Sequence, residues 1–157
     1  MSGFNYIMLG GKNLNIEISE IIEHEIQLKK VELVRVNCEC NGKEMVNKES
    51  KTNINVNVKS EIVNEKSGYS YIHITVINDE EGFHFEILQR GLFVSINDMT
   101  DKKDEFDKFL AIQGIRIMWS YVRESLYDIS CRMIGKPFIL PTLDVMKTLS
   151  NVEEKEE

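Results

Sequence analysis

The sequence predicts an α+β fold: a four-stranded antiparallel β-meander followed by two α-helices. Apolar and polar residues alternate with a period of two through much of residues 24–96, and the period becomes helical after Thr100. The strands precede the helices instead of alternating with them, which argues against a wound parallel sheet. A length of 157 residues suits one core. We therefore expect a single domain over residues 1–157.

The first strand is predicted within residues 24–40, where the apolar phase changes between Leu33 and Val34. Such a change indicates either a β-bulge or a strand buried on both faces. Asn41-Gly42 is a turn signal, and the polar residues 43–52 predict a mobile loop.

The next three strands have clearer signals. Residues 53–58 alternate Asn with Ile or Val, so one face of that strand is apolar. Residues 69–77 are rich in β-branched and aromatic side chains, and residues 78–82 form a turn. Residues 83–96 predict the last strand, with a kink at Gly91.

Two helices are predicted after the strands. The first covers residues 101–113, with Gly114 as its stop. The second covers residues 115–133, with Gly135 as its C-cap. Its apolar residues step by three and four along one face, namely Ile115, Met118, Trp119, Val122, Leu126, Ile129 and Met133.

The predicted strands carry more apolar surface than two helices cover. Residues 31–40 and 69–77 place apolar side chains on both faces of the sheet. Because an uncovered apolar face or edge favours association, we expect a homo-oligomer.

Charge and hydropathy exclude several classes of protein. The net charge is 19 − 26 = −7, the opposite of what a phosphate-binding surface needs, so nucleic acid is not an expected partner. The sequence contains no basic leader and no run near the ~20 apolar residues of a membrane span. We expect a cytoplasmic protein that does not insert into membranes.

No metal, cofactor or catalytic motif is evident. Cys38, Cys40 and Cys131 lack disulfide spacing, and Cys38 and Cys40 with His24 fall short of a four-ligand zinc site. We predict no cofactor and no enzyme. An enzyme or a small-ligand binder remains an alternative only if His73, His84 and Glu86 converge in a pocket.

Both prolines of the chain, Pro137 and Pro141, lie just beyond the second helix. Each fixes φ and removes an amide donor, so residues 136–146 leave the helix as a stiff apolar segment. Two interpretations stay open for this segment. It is either a linker packed on its own core or the wall of a groove that receives an extended apolar peptide.

Residues 83–146 combine two recognisable runs. Tyr121, Arg123 and Glu124 precede Arg132, Gly135, Pro137 and the run LPTLDV at 140–145, and a strand reads FEILQRGLF at 85–93. Together these residues resemble the signature of the SecB export chaperones. The sequence departs from that signature at five positions: Ser120, Lys136, Thr142, Asp144 and Val145.

The resemblance implies a chaperone without cofactor or catalysis. It implies a dimer of dimers that binds unfolded preproteins before export, without ATP, and hands them to the SecA motor. The hydrophobic groove would involve Phe93, Trp119, Phe138, Ile139, Leu140 and Leu143. Motor contact would involve His84 and Glu86, although the first strand is basic at Lys29-Lys30 where the family is acidic.

Two alternative functions remain. SecB-like relatives also serve as chaperones dedicated to an antitoxin of a toxin–antitoxin module, and a structural or adaptor relative would keep the fold with a sealed groove. Residues 1–23 match the family poorly, and residues 14–22 are compatible with a strand or a helical turn. Residues 147–157 predict an acidic, mobile tail.

Overall fold

The computed structural model describes residues 6–9, 12–15, 23–41, 51–144 and 147–148. It confirms the predicted fold class, a four-stranded antiparallel sheet followed by helices. The mobile loop predicted over 43–52 lies outside the described residues except for Lys51 and Thr52, and the predicted tail lies outside them except for Lys147 and Thr148.

The first described elements form a short antiparallel pair, β1 (Tyr6–Leu9) and β2 (Lys12–Asn15), so residues 14 and 15 of the segment left open by the sequence lie in a strand. The main sheet contains β3 (Ile26–Cys40), β4 (Asn53–Ile62), β5 (Ser67–Asn78) and β6 (Phe83–Ser95). Helices cover one face of the sheet. Because successive side chains of a strand point to opposite faces, apolar residues recur at every second position of these strands.

The order of the main sheet is β3-β6-β5-β4, with every neighbouring pair antiparallel. Strands β4, β5 and β6 form a consecutive meander, as predicted. Strand β3 pairs with the last strand instead of with β4, so the order refines the simple meander into a Greek-key arrangement. Consequently β3 and β4 are the two edges.

The phase change predicted in the first strand is a β-bulge. The register of β3 against β6 shifts between Leu28 and Lys30 and again between Leu33 and Arg35. Each extra residue returns the apolar side chains to the same face. At Gly91, where a kink was expected, the pairing of β6 continues without a shift. A Cβ there would clash with Met118 Sδ, which accounts for the glycine.

The helical part is α1 (Lys103–Phe109), a π-helical segment (Leu110–Gly114) and α2 (Ile115–Ile134), preceded by a 3₁₀ turn at Thr100–Lys102. Gly114 is not the predicted stop, because its φ of −59° and ψ of −47° continue the helix. Gly135 ends α2 in the left-handed conformation, as predicted for a C-cap.

The core lies between the helices and one face of the sheet, which we call the inner face. Its largest fully buried side chains include Phe85, Ile87 and Phe93 of β6, Ile72, Ile74 and Val76 of β5, and Phe106, Leu110, Ile115, Met118 and Leu126 of the helical part. The predicted stripe of α2 is buried up to Leu126. Of the last two apolar residues of that stripe, Ile129 is only partly buried and Met133 is exposed. None of the described helices is long and apolar enough to cross a membrane.

Candidate functional site

The segment after α2 folds back along that helix. We call residues 136–144 the C-terminal strip. Arg123 Nε donates to the carbonyl oxygen of Leu140 at 3.0 Å, and Trp119 Nε1 donates to that of Pro141 at 3.0 Å. At the other end of the helix, the amide of Phe138 donates to Ser130 Oγ at 2.6 Å. As residue numbers rise along the strip they fall along α2, so the two run antiparallel.

Trp119, Arg123 and Ser130 form what we call the seat of the strip. They are spaced by four and seven residues, so at ~100° per residue they fall on one side of α2. Ser130 is fully buried, and its hydroxyl also donates to the carbonyl of Tyr127 at 3.0 Å. A serine hydroxyl that both donates and accepts satisfies a polar group that would otherwise be costly to bury.

Over residues 137–141 the side chains of the strip alternate in burial. Leu140 is fully buried, while Ile139 is 64% exposed. Phe138 packs against the core with its ring edge toward Phe83, at 6.4 Å between centroids. Leu143 also packs against the core. Residues 137–141 therefore offer alternate side chains to the protein, as an extended chain does.

The six predicted groove residues fall into three environments. Phe93 and Leu140 are fully buried and Trp119 nearly so, which leaves them without a free surface. Phe138 and Leu143 are partly buried, and Ile139 points to solvent. The structure thus places five of the six in or against the core. A role in a groove stays a prediction that requires the strip to move.

Ser130 is a residue that sequence reasoning missed. It lies four residues after Leu126, on the same side of α2, and is fully buried; a polar residue at such a position signals a specific hydrogen bond. The role of Arg123 was equally unassigned, because its acceptor is a backbone carbonyl distant in sequence.

Both edges of the inner face carry apolar side chains that the described residues leave uncovered. On β3 these are Leu33 and Val36, and on β4 they are Ile54, Val56 and Val58, all between 38% and 49% exposed. Their register partners on β5 and β6 belong to the inner face and are buried. We call them the β3 row and the β4 row. Rows of this kind mark interaction surfaces.

A cleft of about 710 Å³ lies between the start of β3 and the helical part. Its wall includes Leu28, Phe109, Ile117 and Tyr121, and the ring of His24 stacks on Phe109 with 5.1 Å between centroids. Ile117 and Tyr121 are exposed, so the cleft adds apolar surface beside the β3 row.

The opposite, outer face of the sheet carries a charge cluster centred on Glu86. Its carboxylate accepts from Arg35 Nη2 at 2.9 Å, from Asn37 Nδ2 at 3.2 Å and from His73 Nε2 at 2.8 Å. A carboxylate only accepts, so His73 carries hydrogen on Nε2. The bond from His73, that from Asn37 and the charge of Arg35 lower the pKa of Glu86 below its ordinary value.

His73 and Glu86 therefore meet, but His84 forms no part of their hydrogen-bonded cluster. His84 is half-buried, and its Nε2 has no hydrogen-bond partner among the described residues. Within the part of the chain that the structure describes, no group of three His, Cys, Asp or Glu residues is arranged to hold a metal ion. Cys38, Cys40 and Cys131 are free thiols, and burial raises the pKa of Cys38.

Comparison with known proteins relates this geometry to other chains. No protein-family model matches the sequence. An uncharacterized protein of Methanocaldococcus jannaschii is 26% identical over 120 residues, which are 73% of this chain and 77% of that protein. That identity assigns no function.

Solved structures are informative about the fold. The SecB-like chaperone of Mycobacterium tuberculosis, in complex with a ChAD peptide from the HigA1 antitoxin, superposes with a TM-score of 0.60 at 16% identity. The match covers 76% of this chain and 88% of that one. A Streptococcus agalactiae protein of unknown function gives a TM-score of 0.49 at 13% identity, over 74% of this chain and 97% of that one. The first likeness shows that the chain has a SecB-like fold.

Proposed function

We propose that the protein is an ATP-independent chaperone that binds extended segments of non-native polypeptide. The observation that carries this proposal is the apolar surface that the described residues leave uncovered, in the two rows and in the cleft between β3 and the helical part, in a fold shared with a chaperone. A binder of unfolded chains needs apolar surface that its own core leaves open, since sequence-tolerant binding relies on burial more than on specific polar contacts. The activity uses no cofactor and makes or breaks no covalent bond.

The client is proposed to be one dedicated chain of the antitoxin class. The support is that the similar M. tuberculosis chaperone binds a peptide from an antitoxin. A segment of an unfolded client pays an ordering cost when it binds, and a dedicated partner offsets that cost by matching the apolar positions of the site.

Delivery of preproteins to a SecA motor is supported less well. The acidic residue expected to contact a motor, Glu86, is engaged by Arg35, Asn37 and His73 of its own chain. A carboxylate already neutralised in this way attracts a basic partner weakly. His84, the other residue expected to contact a motor, is half-buried. Lys29 and Lys30 on β3 are exposed cations where an acidic first strand is expected for motor binding.

We further propose a homotetramer, built as a dimer of dimers, in the cytoplasm. The two rows lie at opposite edges of the sheet and the cleft lies beside β3, so contacts between copies can cover part of this apolar surface and leave part of it open to a client. The three free cysteines suit a reducing compartment. Because the net charge is −7 and nucleic acid is itself negative, we do not propose nucleic acid as a partner.

The test is suppression of aggregation of a denatured client. Chemically denatured citrate synthase is diluted into buffer with the protein at a stoichiometric amount, without ATP, and light scattering is recorded. We expect scattering to fall in proportion to the protein added. Bovine serum albumin at equal mass serves as the control. A folded, oligomeric protein that leaves scattering unchanged contradicts the proposal.

A second experiment separates the two client classes. If the gene lies beside a toxin–antitoxin pair, we expect the antitoxin to co-purify with the protein when the two are co-expressed, and purified SecA to show no binding at micromolar concentration. Micromolar binding of SecA, with no antitoxin captured, would instead favour export.

A further inference from the structure

The seat recognises the strip mainly through its backbone. Arg123 and Trp119 donate to the carbonyls of two consecutive residues, Leu140 and Pro141, and Ser130 accepts the amide of Phe138. Any extended polypeptide presents the same carbonyl and amide groups. The polar part of the seat is therefore suited to a peptide chain irrespective of most of its sequence.

The apolar core around the seat sets a simple pattern. It buries Leu140 completely and receives the Phe138 ring against Phe83, while Ile139 between them stays in solvent. An extended chain with an aromatic residue and a leucine two positions later reproduces these contacts. Proline one position after the leucine also fits, since the group used at Pro141 is its carbonyl.

The strip is attached so that it can leave without unwinding the helix. Gly135 joins it to α2 in the left-handed conformation, with φ of 71°, and open space surrounds the position of a Cβ there. Gly135, Lys136 and Pro137 are all exposed. Rotation about one unrestricted glycine changes the direction of everything that follows it.

We propose that the seat is a client-binding site which the strip fills in the absence of client, and that a client segment with the pattern aromatic-x-leucine replaces the strip. This inference rests on the proposed function, because it specifies where and how that chaperone takes hold of its client. The strip is then an internal competitor, and the apparent affinity for a client equals the intrinsic affinity multiplied by the fraction of protein with an open seat.

If the strip competes with the client for the seat, weakening the strip must tighten client binding. A strip that is a groove wall or a packed linker gives no such prediction. Weakening the strip alone raises the open fraction, so Leu140→Ala tightens client binding, by about tenfold or more if the open form is a minor one. Weakening the seat, by Arg123→Met, removes a donor that the strip and the client share, so it does not produce this gain. Ile139→Ala is the matched control, since it alters the strip at a solvent-facing position.

The probe is a fluorescein-labelled peptide with the sequence of residues 136–144, KPFILPTLD. Fluorescence anisotropy measures its binding to the wild-type protein and to each variant. The peptide KPSISPTLD, in which serine replaces the residues equivalent to Phe138 and Leu140, is the negative control. Leu140→Val accompanies Leu140→Ala as a milder change, and circular dichroism melts identify any variant that fails to fold.

Hydrogen exchange of the wild-type protein gives a second readout that needs no variant. When the peptide replaces the strip, the amide of Phe138 leaves Ser130, so we expect faster exchange within residues 136–144. A strip that forms a groove wall becomes more protected instead. If the amides of residues 136–144 exchange more slowly or at the same rate once the peptide is bound, the proposal is overturned. A folded Leu140→Val protein that binds the peptide no more tightly than the wild type also overturns it.

The outcomes also separate this inference from the proposed function. The wild type and both Leu140 variants could suppress citrate synthase aggregation and yet bind no peptide. That result overturns the proposed binding site at the seat and leaves the chaperone proposal standing. Peptide binding with the expected order of affinities, but no suppression of aggregation, supports the seat and contradicts the chaperone activity.

Discussion

Glu86 shows how neighbouring side chains can redirect the role of a residue. The resemblance to the SecB chaperones marks it as an acidic strand residue expected to contact a motor. In the structure its two oxygens are shared among Arg35, Asn37 and His73. These contacts favour the charged form, so the folded protein holds the carboxyl ionised at lower pH than the unfolded chain does.

This pKa shift makes a stability prediction. Because the folded-state pKa of Glu86 lies below the ordinary 4.5, its ionised form stabilises the fold above pH 4.5, and that contribution is lost as pH falls through the folded pKa. Glu86→Gln is therefore expected to lower the urea midpoint at pH 7, with the difference from wild type closing below pH 4.5. Denaturation is followed by circular dichroism at fixed protein concentration.

Glu39→Gln is the control for that series. Glu39 is an exposed residue whose register partner on β6 is His84, and no ion pair joins it to any described residue. We expect little change at any pH. A gap between wild type and Glu86→Gln that stays constant from pH 7 to pH 3 would contradict the assignment.

The helical part illustrates the limits of local signals at the scale of an element. Gly114 resembles a helix stop, since glycine has low helix propensity and favours C-caps. The structure instead buries it within a continuous helical backbone, where its missing side chain admits Ser70 and Phe93. Close packing between helix and sheet overrides the propensity, and no local pattern in the sequence encodes that contact.

Gly114→Ala tests this explanation. A Cβ at this position would clash with Ser70 Oγ and lie 3.1 Å from Ser70 Cβ and 3.3 Å from Phe93 Cε2. We expect the free energy of unfolding to fall by about 1–3 kcal/mol, although alanine is the better helix former. Gln113→Ala, its exposed neighbour, is expected to be near neutral. The measurement is urea denaturation.

A double-mutant cycle identifies the cause. Ser70 Oγ donates to the carbonyl of Leu110 at 2.7 Å, so it cannot turn away freely. If the clash is with that hydroxyl, Gly114→Ala costs less in a Ser70→Ala background than in the wild type. Equal costs in the two backgrounds, or a stabilised single variant, would show that the close approach is not what excludes a side chain.

For the whole molecule, the sequence was sufficient for the fold class and insufficient for the site. Each strand of the main sheet was predicted because alternation is a local signal. The phase change at Leu33 and Val34 left a bulge or a strand buried on both faces open, and the register of β3 decides for the bulge. The pairing of β3 with β6 was not, since it depends on contacts between distant residues. The prolines at 137 and 141 predicted that the chain leaves α2. Where the strip binds depends on Ser130 and Arg123, whose partners are backbone groups that any sequence would supply.

The uncovered rows lead to a prediction about assembly. Apolar side chains 38–49% exposed on both sheet edges favour association, because burying them removes apolar surface from water. We expect a mass near 4 × 18.2 = 72.8 kDa by size-exclusion chromatography with light scattering at micromolar concentration.

Leu33→Asp in the β3 row or Val56→Asp in the β4 row is expected to give smaller species, since either buries a charge in an interface. Asn55→Asp places the same charge on the opposite face of β4 and should leave the mass unchanged. A monodisperse wild-type monomer would show that these rows are free in solution and would remove the support for the tetramer.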